Sequence, residues 1–383
     1  MLSARSSWDL TANPLALLLA DRRRRGARII DLTLSNPTRA GLPPLAEAAE
    51  LLAGRAGASY RPEPLGLPEA RQAVCRYLAD HGGTCDPGQV VLTASTSEAY
   101  SFLFKILADP GDEILVPRPS YPLFEYLAGL ESVRTVSYPL RYDGSRWALD
   151  LDRLAAALGP RTRALVLVSP NNPTGSFVRR NERAALVELA RELDLALIVD
   201  EVFADYLLDG PAPDCAFTGP AEVLTFSLSG LSKVLALPQA KLSWMAVQGP
   251  PEERQQALDR LEVVADTFLS VGTAVQEALP ELLACRHQVQ APVRERLEAN
   301  LHRLRQRVGA GAEVLRCEAG WYAVLGIAGD EERLALALLA EDGVLVHPGY
   351  FFDFLTEGHL VLSLLSPDFD EGVDLLCRRL ERR

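Results

Sequence analysis

The chain has 383 residues, 48% of them hydrophobic and 23% charged, which is the composition of a folded protein large enough for two lobes. Its formal net charge of −12 opposes any general attraction to nucleic acid or to an anionic membrane surface. No apolar run reaches the length of a membrane span, and Arg5, Asp9 and Asn13 interrupt the opening residues where a secretory signal would lie, so a soluble cytoplasmic protein is expected.

Taken in order, the basic run Arg22-Arg23-Arg24-Arg25 reads as a solvated helix end. Residues 29–34 read as a short strand, followed by the turn Ser35-Asn36-Pro37-Thr38. Residues 43–52 have helical spacing that begins at Pro43 and is stopped by Gly54 and Gly57. The segment from Tyr60 to Gly66 holds two prolines and cannot be regular structure, whereas Pro68 opens a helix with Ala70, Val74, Tyr77 and Leu78 on one side. From Val90 the pattern is strand then helix, repeated, with polar turns at 93–97, 117–122, 169–175 and 200–201. Nearly continuous apolar strands alternating with amphipathic helices predict an α/β protein with a mainly parallel sheet sandwiched by helices. In such sheets ligands sit beyond the carboxyl ends of the strands, where those polar turns fall. Residues 252–307 read as helical, and Pro280 and Pro292 are expected to interrupt them at a lobe boundary. Residues 313–376 then mix strands at 321–327 and 360–365 with helices, which predicts an α+β lobe. The six cysteines (Cys75, Cys85, Cys215, Cys285, Cys317, Cys377) show no metal-ligand spacing and read as reduced thiols.

The stretch 224–244 organises the candidate chemistry. It places Lys233 in a small-residue turn between two apolar strands, with Lys241 eight positions on. A desolvated lysine loses part of its affinity for the proton and becomes available as nucleophile and base. Four strand-end features bear on it, each with a plain structural reading beside the functional one. Ser95, Thr96 and Ser97 either cap a helix or offer it to an anion. Asn172 is either a turn residue or a ligand contact. Asp200 closes an apolar strand, where a carboxylate needs either a structural partner or a ligand cation. Tyr121 either packs or stacks on a flat ring. One ligand satisfies all of them at once: pyridoxal 5′-phosphate, with a phosphate, a cationic ring nitrogen, a phenolic oxygen and an aldehyde.

These motifs, in this order, resemble the class I/II aminotransferase family of fold-type I pyridoxal-phosphate enzymes, from about Leu32 to the end. The resemblance rests on Tyr60 with Gly66, on 93–99, on Pro110-Gly111-Asp112-Glu113, on Pro119-Ser120-Tyr121-Pro122, on 169–175, on Asp200-Glu201-Val202 and on Ser232-Lys233. It implies a large cofactor-binding domain over 47–285 and a smaller α+β domain built from both termini, 1–46 and 286–383. It also implies a homodimer in which Tyr60 reaches the partner's cofactor phosphate. By the same resemblance Lys233 forms the Schiff base and then carries the substrate proton, Asp200 faces the ring nitrogen and Asn172 the 3′-oxygen. Ser95, Thr96, Ser97, Ser229 and Lys241 are assigned to the phosphate and Tyr121 to the ring. Gly230, where many relatives carry serine, is expected to let the backbone approach the phosphate.

Four departures bear on function. The Tyr60–Gly66 spacing is one residue longer than in the best-known members of the family, which bears on the role given to Tyr60. Phe203 stands where the family has a tyrosine donating to the 3′-oxygen, which leaves Asn172 alone there unless Tyr206 approaches. Lys241 replaces an arginine, keeping charge without the bidentate fork. Val361 stands where an arginine clamps the substrate carboxylate, so either another cation serves, with Arg39 after the first turn as the candidate and equally well a surface residue, or the substrate is not held as an ordinary α-amino acid; Asn36 is a further substrate-side candidate. Trp321 and Tyr322 are small-lobe core or pocket wall, and Phe352 is a further pocket candidate. The expected activity is transamination between an amino acid and a 2-oxo acid, with a C–S β-lyase on the same scaffold as the alternative. A dehydrogenase, a serine hydrolase and a DNA-binding regulator are set aside, for want of G-x-G-x-x-G, of a nucleophile-elbow pattern and of a helix-turn-helix extension.

Overall fold

Strands that read as continuous apolar runs are buried on both faces, and that requirement sets the architecture. The computed structural model describes residues 3–42, 45–54, 59–211, 217–309 and 311–382, so Pro43, Gly57 and Cys215 lie outside the described residues. After a two-residue strand, Ile30–Asp31 (β1), the repeating part supplies Val90–Thr93 (β2), Glu113–Arg118 (β3), Arg134–Tyr142 (β4), Trp147–Leu149 (β5), Thr162–Val168 (β6), Ala196–Asp200 (β7), Thr225–Gly230 (β8) and Ser243–Gln248 (β9). They form one sheet in the order β2-β9-β8-β7-β6-β3-β4-β5. All neighbours are parallel except around β9, which runs against both β2 and β8, and at the edge strand β5.

Alternation along each strand divides the core. Ile198, Phe226, Leu228 and Met245 face the helices Thr96–Leu107, Phe124–Leu130 and Pro251–Phe268. Leu197, Val199, Trp244 and Ala246 face the other way, towards Pro68–Asp80, Arg180–Leu193 and Thr273–Ala284. The inner strands β3 and β6–β9 therefore run almost dry through a two-sided core, and polar side chains gather at their ends.

The last third adds Ala312–Val314 (β10), Tyr322–Ile327 (β11), Val344–Leu345 (β12), His347–Pro348 (β13) and His359–Ser363 (β14). Four of these make an antiparallel sheet, β10-β11-β14-β13, while β12 pairs in parallel with β1 through Ile30–Val344 and Asp31–Leu345. The Ser363 amide donates to Leu32 O at 2.6 Å, which ties the two ends of the chain again.

Two expectations are corrected. The strand over 29–34 shrinks to Ile30–Asp31, because Asp31 Oδ1 turns back to accept from Thr33 N at 2.8 Å and ends the pairing. The prolines do not break the long helical stretch. Its helices are Pro251–Phe268, Thr273–Ala284 and Arg286–Arg307, with Pro280 and Pro292 inside the second and third. Each proline removes one backbone hydrogen bond, and burial of Leu279, Leu282, Val293 and Leu297 holds the helices across the gap. The breaks fall at 269–272 and at Cys285 instead.

Candidate active site

The polar strand ends enclose a cavity of about 270 Å³ at one rim of the large sheet. Ser95, Thr96, Ser97, Tyr121, Asn172, Asp200, Phe203, Lys233 and Lys241 line it, drawn from sequence positions nearly 150 residues apart (241 − 95 = 146). Ser35, Tyr100, Ser232, Ser243 and Tyr322 line it as well.

Lys233 sits on the single helical turn Leu231–Val234 that follows β8. Its backbone is held from two sides: Tyr206 Oη donates to Lys233 O at 2.7 Å and Gln290 Nε2 to Val234 O at 3.1 Å. The Tyr206 hydroxyl is thus committed to the lysine turn and does not supply the donor that Phe203 lacks. The Lys233 amine lies 5.0 Å from the Trp321 ring centre and 5.6 Å from that of Phe203. Burial among these rings lowers its pKa, and the charge of Asp200 opposes that shift.

Asp200 ends β7 with its carboxylate inside. Oδ1 accepts from Val202 N at 3.1 Å and Oδ2 from Tyr100 Oη at 3.1 Å. Burial pushes its pKa up to about 6, against the Val202 amide, the Tyr100 hydroxyl and the Lys233 charge, which all pull it down. Tyr100 was hidden in the sequence as an apolar position of a helix, and nothing there marked its hydroxyl.

The two asparagines of the 169–175 turn have different employment. Asn171 knits the turn: its Oδ1 accepts from Thr174 Oγ1 at 2.8 Å and its Nδ2 donates to Pro119 O at 3.3 Å. Asn172 Oδ1 is buried with no hydrogen-bond partner and borders the cavity. Gly175 closes the turn at φ +70°, and a Cβ there would meet Ala319 O at 2.2 Å, so the turn packs directly on the chain entering β11. At the far wall Ser95 caps Thr96–Leu107, its Oγ accepting from Glu98 N at 3.1 Å. The Thr96 and Ser97 amides are left without an acceptor among the described residues.

The remaining sequence candidates lie elsewhere. Tyr60 is 71% exposed and borders a separate shallow depression with Arg61 and Gln276. Ser229 is buried one residue short of the end of β8 and is not in the cavity wall. Asn36 Oδ1 accepts from Thr38 N at 3.0 Å within its own turn, and exposed Arg39 follows it outside the wall. Val361 is fully buried between Val324 and His347 in the small sheet. Trp321 backs Phe203 and Lys233 from behind, edge-on to Phe203 at 5.5 Å, and it is Tyr322 that borders the cavity. Phe352 packs edge-on to Tyr322 at 6.0 Å, outside the wall. No cluster of metal-ligating side chains exists among the described residues.

A family model described as aminotransferase class I and II matches residues 27–380. The chain belongs to that family. It is 31% identical over 373 residues to the aspartate/prephenate aminotransferase of Thermus thermophilus, covering 94% of this chain and 92% of the relative. To the arginine–pyruvate transaminase of Pseudomonas aeruginosa it is 30% identical, over 98% of this chain and 93% of the relative. Its fold matches the alanine aminotransferase of Pyrococcus furiosus with a TM-score of 0.88 over all of both chains, at 24% identity. The class I/II aminotransferases are pyridoxal-phosphate-dependent transferases of amino groups, and the large, mostly parallel sheet flanked by helices is their fold-type I architecture. With relatives that are transaminases over nearly their whole length, this chain is an aminotransferase, and the lyase alternative has no finding in its favour.

Proposed function

We propose that the cavity binds pyridoxal phosphate and transfers an amino group between an amino acid and a 2-oxo acid, with Lys233 and Asp200 as the catalytic pair. One observation carries this reading: Lys233, Asp200 and Asn172 border one cavity in which neither the lysine amine nor the buried Asn172 Oδ1 has a hydrogen-bond partner among the described residues. A buried polar atom without a partner in a folded protein is unusual, and a ligand with matching groups accounts for both. When bound, the cofactor supplies an electron sink for the pair left behind when the substrate Cα–H bond breaks.

The chain's own residues do the rest. Lys233 Nζ attaches the cofactor and carries the proton from the substrate α-carbon, a task suited to an amine whose pKa burial has lowered. Asp200 presents a carboxylate to the ring nitrogen, and the Tyr100 hydroxyl helps to keep it ionised. Asn172 would meet the phenolic oxygen and Tyr121 the ring, while Phe203 lines the cavity without a donor to offer. Ser95, Thr96, Ser97 and Lys241 hold the phosphate. On the substrate side Ser35 and Tyr322 line the wall; Arg39 takes the carboxylate only if the 35–39 turn closes inward, and an unchanged KM in Arg39→Ala removes it. Tyr60, exposed here, is assigned to the partner's site in a homodimer.

Covalent mapping tests the core of this proposal. Protein loaded with pyridoxal phosphate, reduced with borohydride and digested should carry the pyridoxyl mass on the peptide containing Lys233. Label on another lysine, or full turnover by Lys233→Ala, contradicts it.

A further inference from the structure

Gly230 ends β8 and stands directly opposite Ser243 in the antiparallel pairing of β8 with β9. Its φ of 179° is extended backbone that any residue adopts, so conformation does not call for glycine here. Space does. A Cβ at 230 would lie 2.1 Å from Ser243 Oγ and 2.8 Å from Ser243 Cβ. The hydroxyl of Ser243 already fills the volume that a side chain at the end of β8 would use to reach the cavity.

Ser243 is 2% exposed, borders the cavity and has no hydrogen-bond partner for its hydroxyl among the described residues. A hydroxyl at the cavity wall with no protein partner is free to donate to whatever the cavity binds. Its position in the two ladders says which end of the ligand that is. On the other side Ser243 pairs with Thr93, two residues before the cap Ser95 and the unfilled amides of Thr96 and Ser97. Lys241 precedes Ser243 by two residues and borders the same cavity. Two amides at the start of a twelve-residue helix, one ammonium and one hydroxyl on the wall of a single cavity have the chemistry of an anion site.

We propose that Ser243 Oγ donates a hydrogen bond to the cofactor phosphate, with Gly230 as the residue that makes room for it. The proposal rests on the reading of this cavity as a pyridoxal-phosphate site. The two positions act as one unit: the hydroxyl is delivered from β9, and β8 gives up its side chain to admit it. Lys241 supplies charge without a fixed fork, and Ser243 adds the directed donor that a lysine lacks.

Binding of two ligands to the apoprotein separates this role from simple space filling. Equilibrium dialysis with pyridoxal phosphate and with pyridoxal, which has no phosphate, gives the affinity that the phosphate contributes. Ser243→Ala removes a single oxygen and is expected to weaken pyridoxal phosphate by about tenfold while leaving pyridoxal unchanged. Gly230→Ser alone should weaken pyridoxal phosphate by crowding, and the exchanged pair Gly230→Ser with Ser243→Gly should recover most of that loss, as coupled neighbours do. An equal loss for both ligands in Ser243→Ala, or no loss for either, overturns the role of Ser243 while the cofactor site stands. An exchanged pair no better than Gly230→Ser overturns the claim that the two act as a unit. Wild-type protein that binds neither ligand overturns the reading of the cavity, and this proposal with it.

Discussion

A carboxylate buried at a strand end stays ionised only through what surrounds it, and Asp200 is finely placed in that respect. Its pKa of about 6, against 3.8 for the free side chain, comes from burial, opposed by the Val202 amide, the Tyr100 hydroxyl and the Lys233 charge. The sign follows from linkage. The folded apoprotein holds this proton more tightly than the unfolded chain, so folding stability falls as pH rises from about 4 to about 6, by up to about 3 kcal/mol. Asp200→Asn should therefore melt higher than wild type as apoprotein at pH 7.5, yet bind pyridoxal phosphate far more weakly; thermal melts with and without cofactor read both effects. In wild type, cofactor affinity should decline as pH drops below about 6, because the carboxylate that meets the ring cation is lost. Tyr100→Phe removes one stabilising hydrogen bond and should move that decline upward by up to about one pH unit. Lys233→Ala should lower kcat by about 10²–10⁴-fold or more, with the cofactor bound but no longer reducible onto the chain.

Elements deliver these side chains, and their turns are where substitutions should be felt. Gly175→Ala adds a Cβ 2.2 Å from Ala319 O at a positive φ, so a loss of about 2–4 kcal/mol in stability is expected, measured by denaturant unfolding. The same variant should weaken cofactor binding, since the turn carries Asn172. Much of this level was legible in the chain itself. Val90, Thr162 and Pro68 open elements at the positions that apolar runs and proline indicate, because there local pattern and tertiary burial agree. It was less legible where they part. Arg134–Tyr142 and Trp147–Leu149 mix charged with apolar residues and lie at the sheet's margin, where no continuous apolar run is needed. Pro280 and Pro292 pass through helices whose buried faces outweigh one missing hydrogen bond each. Tyr100 escaped notice because its ring obeys the helix pattern while its hydroxyl serves the site, and Ser243 because its partner Gly230 is adjacent only across a ladder.

At the scale of the whole molecule, the pairing of β1 with β12 and the bond from Ser363 to Leu32 tie the early part of the chain to its last third, and we propose a small domain of 1–46 with 286–383 beside a larger one of 47–285. The motif order that marks the family is a consequence of this fold, because each parallel strand brings its polar end to one rim. The dimer reading is tested by Tyr60, which is exposed in the single chain. Tyr60→Phe should weaken pyridoxal phosphate by several-fold, and sedimentation should give twice the chain mass; a monomer with full cofactor affinity contradicts it.

Transamination itself is tested most directly with isotope. Enzyme supplied with a ¹⁵N-labelled donor amino acid and an unlabelled 2-oxo acid should move the label into the new amino acid, one for each donor consumed, with no labelled ammonia released. Labelled ammonia appearing in step with donor loss, and no label in the acceptor, would contradict it.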